Sequence, residues 1–260
     1  MSIDLNAIAF TEVTKDFTKS NVLIYGKPKV GKSTLGSQLP NALFVATEKG
    51  YNFLKVKPQD INSWQEFLEL GQALSTQKHN FKSVIIDITD ILYGHCEKYV
   101  MDKNGVTDPS ELGFGKGFKL VKNEFARVIG KINMAGFPIM FISHAKEKTE
   151  KTKTGEWTVM GTSLSASAES FVSGLCDIIL YCYITDEGNR VMRTKPTKYI
   201  LAGDRSTKLP EIMPMDYNLL AKYLAGEATE APKTIADKVP NVAPQMINKA
   251  KQATAIQGSN

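Results

Sequence analysis

Gly26-Lys27-Pro28-Lys29-Val30-Gly31-Lys32-Ser33-Thr34 is the stretch on which the reading of this chain turns. It fits G-x-x-x-x-G-K-[ST] at every fixed position. The short apolar run NVLIY at residues 21–25 reads as a strand before it, and a helix-capable stretch follows to residue 39. Gly26 and Gly31 admit backbone angles that turn the loop's N–H groups inward, with Lys27, Pro28, Lys29 and Val30 between them as the body of a phosphate cradle. The helix after the loop adds the positive end of its dipole. Lys32 is then expected at the β- and γ-phosphates, the Ser33 hydroxyl on Mg²⁺, and Thr34 at the α-phosphate. A chance glycine–lysine turn would require neither the strand nor the helix.

Such a loop calls for a downstream acid at the end of an apolar strand, to hold the metal's water shell. SVIID at residues 83–87 supplies Asp87. Asp90 reads either as support for that acid or, the safer choice, as the N-cap of a helix over residues 91–99. Between the loop and Asp87 lies an extra strand, ALFVAT at residues 42–47, that ends in Glu48. A carboxylate there can orient and deprotonate an attacking water. The competing reading of Glu48 is an ordinary surface glutamate.

Near-continuous hydrophobic strands alternate with helical patterns to about residue 224. This predicts an α/β fold with a mainly parallel central sheet and helices on both faces. Further strand signals lie at FPIMFIS (137–143) and at residues 177–184 and 190–194, the last two flanking the turn residues 185–189. Residues 63–76 and 118–134 have helical periodicity. From residue 227 the chain has no aromatic residue and no sustained period, so we expect a flexible tail with at most a short helix near residues 244–253. The expected organisation is an N-terminal segment at 1–17 able to touch a neighbouring subunit, an ATPase domain at 18–226, and a tail at 227–260.

At 260 residues with 42% hydrophobic content, the chain can build a substantial core, which excludes wholesale disorder. The net charge of +5 permits a polyanionic partner without demanding one. The three cysteines, Cys96, Cys176 and Cys182, have neither disulfide-framework nor zinc spacing and read as buried hydrophobes of a reducing compartment. Neither a signal peptide nor a membrane span is readable, so a cytoplasmic location is expected, the bacterial host's cytoplasm if a phage encodes the chain.

The loop at 26–34, ALFVATE with Glu48, SVIIDITD with Asp87, FPIMFISHAKEK with His144, and RTKPTKYILAGDR at 193–205 together resemble the RecA/RadA-like recombinase core. Within that group the resemblance is nearest to the short RecA-like ATPases of phages, which include single-strand-annealing proteins. It covers residues 18–224 and implies a RecA-like P-loop NTPase that hydrolyses ATP with Mg²⁺. It also implies a homo-oligomer, ring or filament, with ATP held between adjacent subunits. By the same resemblance His144 takes the strand-end position that senses the γ-phosphate. The competing reading of His144 is a buried histidine bonded to backbone. Lys195 and Lys198, with Arg193 behind them, are expected to reach the neighbouring subunit's ATP, because the basic run at 190–208 corresponds to the family segment that does so.

Single-stranded DNA is the expected polymer partner, with a single-strand-binding protein as a further one. The glycine-rich stretch at 102–119 carries Phe114, Lys116, Phe118 and Lys119, and the stretch at 146–157 carries Lys146, Lys148, Lys151, Lys153 and Trp157. Both read as loops suited to stacking and phosphate contact, or as a lid or plain surface. The alternatives in function are a helicase-like or assembly ATPase, a nucleotide switch and, behind these, a small-molecule kinase.

Overall fold

The computed structural model of the protein describes residues 8–152 and 155–228. The chain enters along an extended segment, and a 3-10 turn at Phe17–Lys19 buries Phe17 against Tyr217. The central strand is β1 (Val22–Gly26), flanked in parallel by β5 (Ile139–Thr152) and β7 (Ile178–Ile184). Beyond β5 lie β4 (Ser83–Asp87), β2 (Ala42–Ala46) and β3 (Pro58–Asp60), all parallel. Beyond β7 lie β8 (Arg190–Arg193) and β10 (Ile212–Pro214), both antiparallel to their neighbours; β9 (Gly203–Asp204) pairs with β7 off the main path. The full order is β10-β8-β7-β1-β5-β4-β2-β3, with β6 (Gly155–Thr162) paired to the outer half of β5.

Alternation along β1 explains why its sequence is apolar throughout. Leu23 and Tyr25 enter one core, with residues of α2 (Trp64–Thr76), α3 (Thr89–Asn104), α4 (Lys116–Met134) and α5 (Ala166–Leu175). Val22 and Ile24 enter the other, beneath α1 (Lys32–Gly36) and α6 (Tyr217–Ala225). A strand buried on both faces has no position left for a polar residue. The expected parallel α/β sheet covered on both faces is thus the observed one.

The structure departs from the sequence reading at several elements. The helix after the phosphate loop closes at Gly36 rather than 39. Gly36 leans on β5, where an added Cβ would lie 3.2 Å from Ile142, and Pro40 cannot continue a helix. The stretch at 102–119 is ordered by a 3-10 turn at Pro109–Leu112 whose Asp108 and Glu111 make a reciprocal capping box, and α4 already begins at Lys116. The lysine-rich stretch at 146–157 is strand rather than loop: β5 and β6 form an antiparallel hairpin pairing Ala145 with Thr162 through Thr152 with Gly155. The hairpin is pinned to α5, since Glu169 accepts from the Thr162 N–H and hydroxyl and pairs with Lys148 at 2.9 Å. Lys153, the tail beyond residue 228 and the expected helix at 244–253 lie outside the described residues, as do the side chain of Lys151 and residues 1–7 of the expected N-terminal contact segment.

Candidate active site

The parallel strands β1, β4 and β2 end on the same side of the sheet, and the sequence-predicted residues gather there. Gly26 closes β1 so near β7 that a Cβ would sit 2.3 Å from the Cys182 carbonyl oxygen. Its glycine is therefore a steric requirement of strand packing, whereas Gly31, at φ 110°, meets the expected demand for left-handed backbone. Lys29 also has positive φ, at 64°. Val30 is buried beneath the loop, and Thr34 is exposed at the start of α1.

Lys32 is 5% exposed, and its Nζ donates to the carbonyls of Gly26 (2.9 Å) and Lys27 (3.0 Å). These bonds hold the ammonium under the loop. Burial lowers its pKa, while the carboxylates of Asp87, Asp90 and Glu48 act in the opposite direction. The Cys182 thiol is pushed up to about 12 by burial and stays neutral.

Asp87 is 4% exposed, and its Oδ1 is buried without a hydrogen-bond partner. Burial raises its pKa, opposed by a hydrogen bond with Ser33 and assisted by the charge of Glu48. An orphaned carboxylate oxygen carries a desolvation cost of about 1–3 kcal/mol. A cation's hydration shell would offset that cost, so Ser33 and Asp87 fit the Mg²⁺ expected here. Magnesium keeps several waters and takes one or two protein ligands beside substrate phosphates.

Thr47 fixes the approach of β2 to β4. Its hydroxyl accepts from the Ile88 N–H (2.8 Å) and donates to the Ile88 carbonyl (3.1 Å), while its own N–H donates to the Asp87 carbonyl (2.9 Å). Glu48 follows directly, exposed, with its charge felt by both Asp87 and Lys32. In sequence β2 lies between β1 and β4; in space β5 separates them, and Glu48 comes in from beyond β4.

His144 pairs in register with Gly26 at the foot of the phosphate loop and is 31% exposed, so it is not the buried histidine of the competing reading. Asp90 does not cap α3, which has no side-chain cap. Instead its carboxylate accepts from the Ser143 hydroxyl and from the His144 N–H (2.8 Å). The local pattern of an acid before a helix resembles a cap, and only the position of β5 discloses the strut.

The expected subunit-bridging residues lie further off. Lys195 pairs with Asp204 at 3.1 Å, and the Lys198 ammonium sits 4.3 Å from the centre of the Trp157 ring. Arg193 is buried and paired with Glu211. Burial acts to raise the Asp204 pKa, but bonds from Ser206, Leu209 and Lys195 hold it below the ordinary value. Arg190, which the sequence reading placed in the basic run without a role of its own, and Met215, which it did not single out, lie directly against Gly31.

A family model described as an AAA domain (AAA_24) matches residues 18–206. The chain belongs to this AAA-domain family. With the phosphate loop, Asp87 and the sheet order, membership makes the fold an α/β P-loop NTPase and the core an AAA-type ATPase domain. The AAA domain is also similar to a SPbeta prophage-derived uncharacterized protein, YorG, of Bacillus subtilis (strain 168), at 26% identity over 204 residues. That alignment covers 75% of this chain and 60% of the relative, so the chain spans about three fifths of that protein's length. Among solved structures it is similar to a RadB recombinase at 14% identity and a TM-score of 0.45, covering 72% of this chain and 86% of that one. Among the described residues, no helix is long and apolar enough to cross a membrane.

Proposed function

We propose that this AAA-domain protein is a Mg²⁺-dependent, DNA-stimulated ATPase that acts on single-stranded DNA in phage-type recombination or strand annealing. The observation that carries the ATPase reading is the convergence of Lys32, Ser33, Asp87 and Glu48 at one end of the sheet. Lys32 holds the β/γ end of the nucleotide, Ser33 and Asp87 hold the metal, and Glu48 orients and deprotonates water. The bound metal supplies charge neutralisation at the phosphates. His144 responds to the γ-phosphate and passes that response to α3 through Asp90.

Single-stranded DNA is favoured by two exposed features. Phe114 is 113% exposed between Gly113 and Gly115, all three with positive φ, and the β5–β6 hairpin carries the exposed Lys146 and, on its other strand, Trp157. The prophage origin of YorG supports the phage setting. The active form is a homo-oligomer, ring or filament, in which Lys195 and Lys198 reach the neighbouring subunit's ATP. It works in the cytoplasm beside a single-strand-binding protein.

The test is ATP hydrolysis with and without single-stranded DNA at two salt concentrations, with and without Mg²⁺. Stimulation that falls as salt rises is the expected result, because lysine–phosphate contacts release counterions. Hydrolysis indifferent to DNA would point to another polymer or a protein partner, and phosphate on a small acceptor to a kinase.

A further inference from the structure

The metal and water groups fix the direction in which a nucleotide lies. Asp87, Glu48 and His144 belong to β4, the end of β2 and β5, all on one side of β1 in the sheet order. A triphosphate held by Lys32 therefore points its γ end to that side, and its nucleoside leaves toward β7, β8 and β10. This orientation rests on the ATP reading given above.

On that opposite side two side chains close against the phosphate loop. A Cβ placed on Gly31 would lie 3.7 Å from Met215 Cε, 3.8 Å from Arg190 Nη1 and 3.9 Å from Arg190 Cδ. The two are tied together, since the Met215 N–H donates to the Arg190 carbonyl at 3.1 Å. Arg190 opens β8 opposite Ile184, so its backbone is fixed by the sheet while its side chain is exposed. Among the described residues no carboxylate pairs with its guanidinium. The acid beside Met215, Asp216, is engaged in capping α6 through the Leu219 N–H (2.9 Å).

We infer that Arg190 and Met215 form the wall on which the nucleobase rests, the guanidinium plane stacking on the base and the thioether flanking it. A planar, weakly hydrated cation stacks well on aromatic faces, and a methionine sulfur makes favourable contacts with them. Gly31 keeps the wall close to the loop, so the base and the phosphates are read within one turn of backbone.

The test measures binding of ATP, ADP and inorganic tripolyphosphate to the full chain by calorimetry. Arg190→Ala should weaken ATP and ADP on the order of 5- to 10-fold and leave tripolyphosphate within about twofold, because only the first two carry a base. Arg190→Lys should stay weak, since lysine keeps the charge but lacks the plane. Equal loss on tripolyphosphate, recovery by Arg190→Lys, or unchanged nucleotide affinity would each overturn the wall. Met215→Ala carries the same split expectation should Arg190→Ala fail to fold. Lys32→Ala should lose all three ligands. A wild type that binds none of them overturns the nucleotide reading itself, and with it the wall.

Discussion

Asp90 braces His144: one carboxylate oxygen accepts from the His144 N–H at 2.8 Å, and the same oxygen lies 3.2 Å from His144 Nδ1, while the other oxygen takes the Ser143 hydroxyl. The first turn of α3 is thereby bolted to the strand that separates the phosphate loop from Asp87. Asp90→Ala leaves a strand N–H without its acceptor and the buried Ser143 hydroxyl with only a long bond to the His144 carbonyl (3.3 Å). Urea unfolding should show a loss of about 1–3 kcal/mol. A loss below about 0.5 kcal/mol would mean that water replaces the carboxylate without strain.

Asp87→Asn separates stability from function. Burial raises the Asp87 pKa above its unfolded value, so ionisation disfavours the fold. That cost is full above the folded pKa and disappears as the pH falls below the unfolded one. The variant should therefore melt higher than wild type at pH 7 without ligands, with the gap closing on acidification. Its Mg²⁺-dependent gain in ATP affinity should vanish. A variant that melts lower at pH 7 would show that Asp87 is stabilised by partners rather than penalised by burial.

Glu48→Gln tests water activation alone. Its side chain is exposed, so the fold should be unaffected. ATP affinity should stay near wild type while turnover falls on the order of 10²–10⁴-fold. Wild-type turnover would make Glu48 a surface residue and assign the water to another group.

Gly26→Ala forces a methyl group into the Cys182 carbonyl, at a separation of 2.3 Å before relaxation. Since both partners are backbone, relief requires β1 and β7 to part. A loss of about 1–3 kcal/mol in thermal or urea unfolding is expected. Gly31→Ala, with no atom closer than 3.7 Å, should act instead through its positive φ and through the nucleotide.

The two aromatics should differ toward single-stranded DNA. Phe114 presents a bare ring, so Phe114→Ala should cost about 1–3 kcal/mol of binding if a base stacks there. Trp157 is half-buried beneath Lys198, so less of its ring is open to a base and Trp157→Ala should cost less than Phe114→Ala. Unchanged affinity in both variants would move the DNA site elsewhere.

How legible these features were in the sequence depended on range. The phosphate loop, Asp87 and the buried strands were readable because each is a local pattern: a fixed glycine–lysine spacing, or an apolar run with no polar gap. The outer half of β5 was not, since Lys146 to Thr149 is polar on both faces and carries no burial signal. Asp90 was read as a cap because the groups that donate to it come from residues 143 and 144, more than fifty positions away. Arg190 stood in a visible basic run, but only the antiparallel return of β8 sets it beside Gly31. Spacing also could not tell that Gly26 serves strand packing while Gly31 serves the turn.

The placement of β1 at the centre of the sheet has a consequence for synthesis. Its neighbour on one side, β5, begins at Ile139, and its neighbour on the other, β7, aligns Ile178 with Val22, a span of 156 residues. A chain emerging from the ribosome thus carries the phosphate loop through most of its translation on a strand with open edges. Pairings over such distances form slowly and leave strand edges free to find wrong partners. Nucleotide can act as a folding ligand only after residue 184 has emerged, so a transcript cut short before that point yields a chain with the full phosphate motif and no pocket to use it.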